Sequence, residues 1–296
     1  MRTLTFWLRP HFVLRVVNRF QKVAGFDRSI ALASSALTAL IPLAIVVGEL
    51  APQVRRGDTA ERIIARYGLE GGGADAVRQI FAPPAGTDTT LSVVGFIFLM
   101  VAVLSFTRAV QRLFEQTWEL PPLSVRNTVN GLVWITGLVV YFGLSGLLLT
   151  ALGHSRLDVA ATLVLLPLSA VFLIWTGGVL SAHRIPRRTL MPFAILAAAL
   201  TAIYSVGARV YLPHLFDVYT TRYGVIGAVF AMISSLFCIM CVLVGSAAAG
   251  REIHVELDRI RSGETLPEDE VRKQWEEITV EARSRWQAVR ARRRRE

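Results

Sequence analysis

Cysteine is nearly absent from this chain: Cys238 and Cys241 are the only two in 296 residues. No disulfide framework can be built from them. Their C-x-x-C spacing lies inside an apolar helical pattern with no βαβ context, which reads as two small packing residues rather than a redox pair. Histidine is scarce and scattered, at His11, His154, His183, His214 and His254, without metal-binding spacing. No serine sits in a G-x-S-x-G elbow, and no phosphate-cradling glycine loop follows a strand. Hydrolysis of RNA needs clustered metal ligands or an acid–base pair facing water. A membrane-embedded enzyme, a ribonuclease included, is therefore disfavoured, and no cofactor or metal is expected. A small-residue cleavage site is also missing after the first apolar run, so that run is read as a retained helix and not a signal peptide.

Charge, too, is missing over long stretches. Uncharged or nearly uncharged runs occupy 29–48, 89–107, 127–153, 159–182, 189–208 and 223–250, each long enough to cross a hydrocarbon layer about 30 Å thick at 1.5 Å per residue. Hydrophobic residues make up 53% of the chain, and the mean hydropathy is +0.48. The expected fold is all-α: a polytopic membrane protein with a six-transmembrane-helix bundle. A cytoplasmic amphipathic segment (1–28) precedes the membrane domain (29–250), an external helical loop (49–88) interrupts it, and a charged cytoplasmic tail (251–296) follows. The net charge of +10 is unevenly spread: 24 of the 32 basic residues precede the first span, follow the last, or lie in the second-to-third and fourth-to-fifth loops. That asymmetry places both termini in the cytoplasm. It also makes anionic lipid headgroups at that face the expected partners, with homo-oligomerisation open and no nucleic acid expected.

Along the chain, Val13, Val16, Val17, Phe20 and Val23 recur at helical period opposite Arg15, Arg19 and Lys22. Such a helix either lies in the inner interface or packs under the bundle. In the first span, Ala31, Ser34, Ser35 and Thr38 are small or hydroxyl residues and Pro42 removes a backbone donor, which predicts close packing against other helices. In the external loop, Asp58 to Glu61 resembles a capping box, Gly71-Gly72-Gly73 is expected to end that helix as a plain hinge, and Ala74 to Phe81 to form a second short one. Arg108 and Arg112 are one turn apart at the inner end of the second span, with Trp118 at interfacial depth. Three roles fit them: snorkelling to headgroups, capture of an anionic group, or pairing with Asp27. Gly131, Gly137, Gly143 and Gly146 in the third span predict close contacts. So does the stripe Gly227, Ala231, Ser234, Cys238, Cys241 and Gly245 in the sixth. Thr265 to Glu268 is a further capping box, opening an amphipathic tail helix through Val271, Trp275 and Ile278 to Val289.

Three stretches carry a resemblance: Asp27-Arg28 before the hydroxyl-rich span that reaches Leu40-Ile41-Pro42-Leu43; Ala109-Val110-Gln111-Arg112-Leu113-Phe114 with Trp118; and Tyr223-Gly224-Val225-Ile226-Gly227-Ala228. Over roughly residues 10 to 258 the chain resembles the YihY/virulence-factor BrkB family of inner-membrane proteins, once labelled ribonuclease BN. It departs from the family pattern at Leu37-Thr38, where an aromatic is common, and at Gly245 to Ala249, which delays an acid to Glu252. The resemblance implies a transport or envelope-related role. Polar residues at span ends are expensive in lipid and usually face a cavity. Asp27, Arg28, Ser34, Ser35, Thr38, Pro42, Arg108, Gln111 and Arg112 are therefore candidates for an inner vestibule, and Glu49, Arg209 and Tyr223 for an outer one. The expected function is a transporter or flippase-like protein for an anionic or amphiphilic envelope component. The competing reading is a non-transporting scaffold working through its basic tail.

Overall fold

Long apolar runs without charge leave the backbone no partner but itself, and in the computed structural model they form helices. The structure describes residues 10–50, 60–61, 64–65, 69–81, 93–123, 128–152 and 158–262, and of these no residue is in a strand. Its helices are α1 (Pro10–Lys22), α2 (Gly25–Leu50), α3 (Gly71–Phe81), α4 (Val93–Thr117), α5 (Thr128–Leu152), α6 (Asp158–Leu180) and α7 (Arg187–Ser262). Among the described residues, Ile97–Thr117, Val129–Leu148 and α7 are long and apolar enough to cross a membrane, and Leu165–Leu180 is a shorter apolar helix. The chain divides into two units, Val16–Arg251 and Met1–Arg15 with Glu252–Glu296.

In the larger unit, successive long helices pair antiparallel. α2 packs on α4, and α4 on α5 and α6. Antiparallel α5 and α6 are locked by Trp134 Nε1 donating to Thr176 Oγ1 at 3.1 Å and by the Tyr141–Ser169 hydroxyl pair at 2.8 Å. The α5 glycines divide by position. A side chain at Gly131 would press on Thr107 and one at Gly137 would enter the Trp175 ring, but Gly143 and Gly146 have nothing within 4 Å. The main core gathers Leu113, Phe114, Trp118, Leu180, Leu190 and Phe193 among others, with Phe114 stacked on Trp118 and Phe193 edge-on to both, at ring distances of 5.5 to 5.9 Å. Trp118 is therefore a core residue rather than a member of an interfacial belt.

α7 is two helices folded back on each other. Gly224, at φ 58° and ψ −137°, is the only non-helical residue in it, in a region open to glycine and strained for other residues. Beside it, a Cβ on Gly227 would overlap the Tyr219 carbonyl. Lower down, Tyr204 Oη meets Ser235 at 2.9 Å and Gly250 lies flat on the Phe193 backbone, so the arms run antiparallel. The first arm continues through residues 209–222, where a loop was expected, despite Pro213 inside it. The cost of the missing donor is offset because Leu212, Leu215 and Phe216 are buried in a second core with Ala60, Ile64, Leu69, Ala74 and Val77. The glycine triplet opens α3 instead of closing the helix before it. Gly72 and Gly73 rest on Thr220 and Phe216, where a Cβ at Gly72 would make ordinary contact and one at Gly73 a tight one, 3.3 Å from Phe216 Cβ. The cap is tied further by Arg78 Nε donating to Glu61 Oε1 at 2.8 Å, a bond that holds the Glu61 carboxyl below its ordinary pKa.

The expected sixth-span stripe is buried only at Gly227 and Ala231; Cys238 is exposed, and burial shifts to Met240, Val244, Ala247 and Ala248. A strict seven-residue repeat drifts about 20° per heptad around a straight helix, so one stripe cannot stay facing the same neighbour. In the smaller unit, Arg15 pairs with Glu252 and Glu256, and His254 Nε2 lies 3.1 Å from Asp258 Oδ2. The tail from Gly263, with its expected amphipathic helix, lies outside the described residues.

Candidate functional site

On α2 the residues fall into two opposed faces. Ser29, Leu32, Ala33, Ala36 and Ala39 are buried, while Asp27, Ala31, Ser34 and Thr38 are exposed on the far side. The alanine row makes the close helix contact, and Ala39 meets Leu99, Ala102 and Val103 of α4. The hydroxyl row does not bond across an interface, as had been expected of it. Ser35 Oγ donates to Ala31 O at 2.8 Å and Thr38 Oγ1 to Ser34 O at 2.9 Å, so both hydroxyls are satisfied within their own helix. Two rows of small residues wind along this helix, and the aliphatic one took the packing face because hydroxyls can satisfy themselves where no partner helix comes close.

Antiparallel pairing then decides what meets at the helix ends. Eleven residues back along α2 from Ala39 is Arg28, and ten forward along α4 from Ala102 is Arg112, each about 15 Å from the contact. The two guanidiniums are thus brought to one level. Arg28 is partly buried and feels the neighbouring Arg112 charge. Arg108 and Arg112 are exposed on one face of α4. Among the described residues, no carboxylate pairs with Arg28, Arg108 or Arg112, and the Asp27 pairing considered from sequence is not formed.

Gln111 turns away from this group, and its Nε2 donates to Glu115 Oε1 at 2.8 Å. That carboxylate, 4% exposed, also accepts from Leu123 N at 2.9 Å and lies 3.5 Å from Arg184 Nη2, whose Nη1 donates to Pro121 O. Glu115 is therefore a clamp joining the end of α4 to the turns on either side of it. Neither Glu115 nor Arg184 was singled out from sequence. The available signal was a lone acid one turn past Gln111 at the end of an otherwise apolar span. Nearby, Arg19 and Lys22 reach Glu119 Oε1 at 3.2 and 2.7 Å, and Lys22 chiefly holds that carboxyl below its ordinary pKa.

The outer candidates do not converge. Arg209 and Tyr223 are exposed on one arm of α7, about 21 Å apart along it, with Tyr223 at the fold-back. The helical backbone of α2 runs without a break through Pro42 and Glu49, whose side chains lie outside the described residues. No cluster of three metal-ligating side chains occurs among the described residues.

The family model for virulence factor BrkB matches residues 16–269. The chain belongs to the BrkB family. No curated protein and no solved structure matches it. Family membership and the apolar helices together make it an integral membrane protein, and the BrkB family is not a known enzyme family. The three stretches that carried the resemblance have physical roles in this member. The first contributes Arg28 and both faces of α2, the second the Arg112 position and the Phe114–Trp118 stack, and the third the Gly224 fold-back with Gly227 beneath it.

Proposed function

We propose that this BrkB-family protein crosses the inner membrane six times, through α2, α4, α5, α6 and the two arms of α7, with both termini cytoplasmic. In this reading it moves an anionic or amphiphilic envelope component. The antiparallel order of the helices and the concentration of basic residues at one end support the topology. The observation that carries the function is the trio Arg28, Arg108 and Arg112, positive charges gathered at a helix end with no carboxylate paired to them among the described residues. Clustered cations without counter-charge repel one another unless an anion joins them, and at a membrane margin the available anions are headgroups and their soluble relatives. Replacing Arg112 by Ala should cut the movement of a fluorescent anionic lipid across reconstituted vesicles severalfold while leaving insertion unchanged. Undiminished movement would remove the arginines from the site.

A scaffold reading has its own support in the apolar fold-back of α7, where Tyr223, Val225 and Ile226 are exposed, as a docking or self-association surface would be. Removing the chain after Gly263 separates the two. A scaffold working through its tail loses its effect, whereas a self-contained transporter keeps most of its activity.

A further inference from the structure

The outward face of α4 is graded. Ile97, Phe98 and Val101 are exposed at more than half of their surface, Ser105 follows, and then Arg108 and Arg112. These residues lie within about 100° of one another around the helix axis, so they form one continuous strip. From Ile97 to Arg108 the strip measures about 16 Å, close to the half-thickness of a hydrocarbon layer. Arg28 closes its charged end from the neighbouring helix, as the register at Ala39 requires. The polar groups of this region thus lie on the outside of the helix pair at the membrane margin, where a lipid can reach them sideways while its chain stays in hydrocarbon.

We propose, on the reading that the arginine trio receives an anion, that the strip holds a bilayer phospholipid. Its phosphate bridges Arg28, Arg108 and Arg112, and an acyl chain lies along Ile97, Phe98 and Val101. Guanidinium forks suit phosphate oxygens, and the bound anion relieves the repulsion between Arg28 and Arg112. The lipid enters sideways from the membrane, without passing through a central cavity. The self-satisfied hydroxyls of Ser35 and Thr38 keep the outward side of α2 compatible with hydrocarbon as well.

The test is native mass spectrometry of the full chain in detergent, counting retained phosphatidylglycerol or phosphatidic acid against phosphatidylcholine. Wild type should retain one anionic lipid in preference to phosphatidylcholine. The triple variant Arg28→Gln, Arg108→Gln, Arg112→Gln should retain roughly tenfold less, equivalent to about 1.4 kcal/mol. Arg222→Gln, at the far end of the molecule, should bind as wild type does, and Arg112→Lys should bind at an intermediate level. Inorganic phosphate at millimolar concentration should not displace the lipid. Equal retention by wild type and a triple variant with an unchanged melting temperature overturns the proposal, as does displacement by inorganic phosphate, which would assign the arginines to a soluble anion. A variant that fails to fold is replaced by the three single glutamine variants, of which at least Arg112→Gln must lose lipid. Retained lipid without vesicle transport sinks the transport reading and spares this one; arginine-dependent transport without retained lipid does the reverse.

Discussion

Glu119 shows how little sequence distance says about partnership: Arg19 and Lys22 reach it from about a hundred residues away. Its folded carboxyl titrates below the unfolded value of about 4.3, so the stabilisation is fully present above that pH and is lost as pH falls through the folded pKa. Both Glu119 and Lys22 are exposed, which limits the effect to about 0.5 kcal/mol. Glu119→Gln should therefore lower the melting temperature slightly at pH 7, and the difference from wild type should shrink as pH falls below about 4.3 and vanish below the folded pKa. An undiminished gap at pH 3 would mean that packing, not charge, ties α1 to this loop. The arginines of the strip were legible at this scale, because a cation at a span end stands out against an apolar background. The clamp at Glu115 was not: its partners, Arg184 and the Leu123 amide, come from turns that only tertiary packing brings together.

At the scale of the element, the clearest case is the fold-back of α7. Gly227 faces the Tyr219 carbonyl with no room for a methyl group, and Gly224 holds a backbone conformation that a Cβ would strain. Gly227→Ala should cost about 1–3 kcal/mol, as overpacking against rigid backbone does, read as a lower melting temperature in detergent. An alanine here without effect would show that the arms can separate at the tip. Helix existence was well legible from uncharged length, but helix ends were not. The uncharged runs stop at 208 and resume at 223, whereas the cap core of Leu212, Leu215, Phe216 and Val77 draws the arm onward across that gap. The α2 faces were misread for a related reason. Periodicity identifies the small-residue rows but not which of them a neighbour will cover.

Across the larger unit, two cores lie at separate levels of the α7 arms. The one around Phe114 and Phe193 sits by the basic turns, and the one around Val77 and Phe216 sits near the fold-back. The proposed topology sets these levels at opposite membrane faces. A cysteine placed at Asp75 should then react with an impermeant thiol reagent from outside intact cells, and one placed at Glu119 only after permeabilisation, with both native cysteines first replaced by Ala. Labelling of the Asp75 position from the cytoplasmic side would invert the orientation. The all-helical character was readable from the sequence because uncharged runs of membrane-spanning length leave their backbone no partner but itself. The height of the cap was not, since nothing in a residue's polarity says how far a helix continues once it has left hydrocarbon.

The one-residue turn at Gly224 has a consequence for digestion. Trypsin needs a stretch of several residues pulled out into extended form, and surface loops usually provide it. Here Arg209 and Arg222 are exposed, yet each sits within regular helix braced by a neighbour, so local unwinding has to precede the cut. Brief treatment of the purified protein should therefore leave the bonds after Arg209 and Arg222 intact, so that residues 189–251 stay together on one fragment.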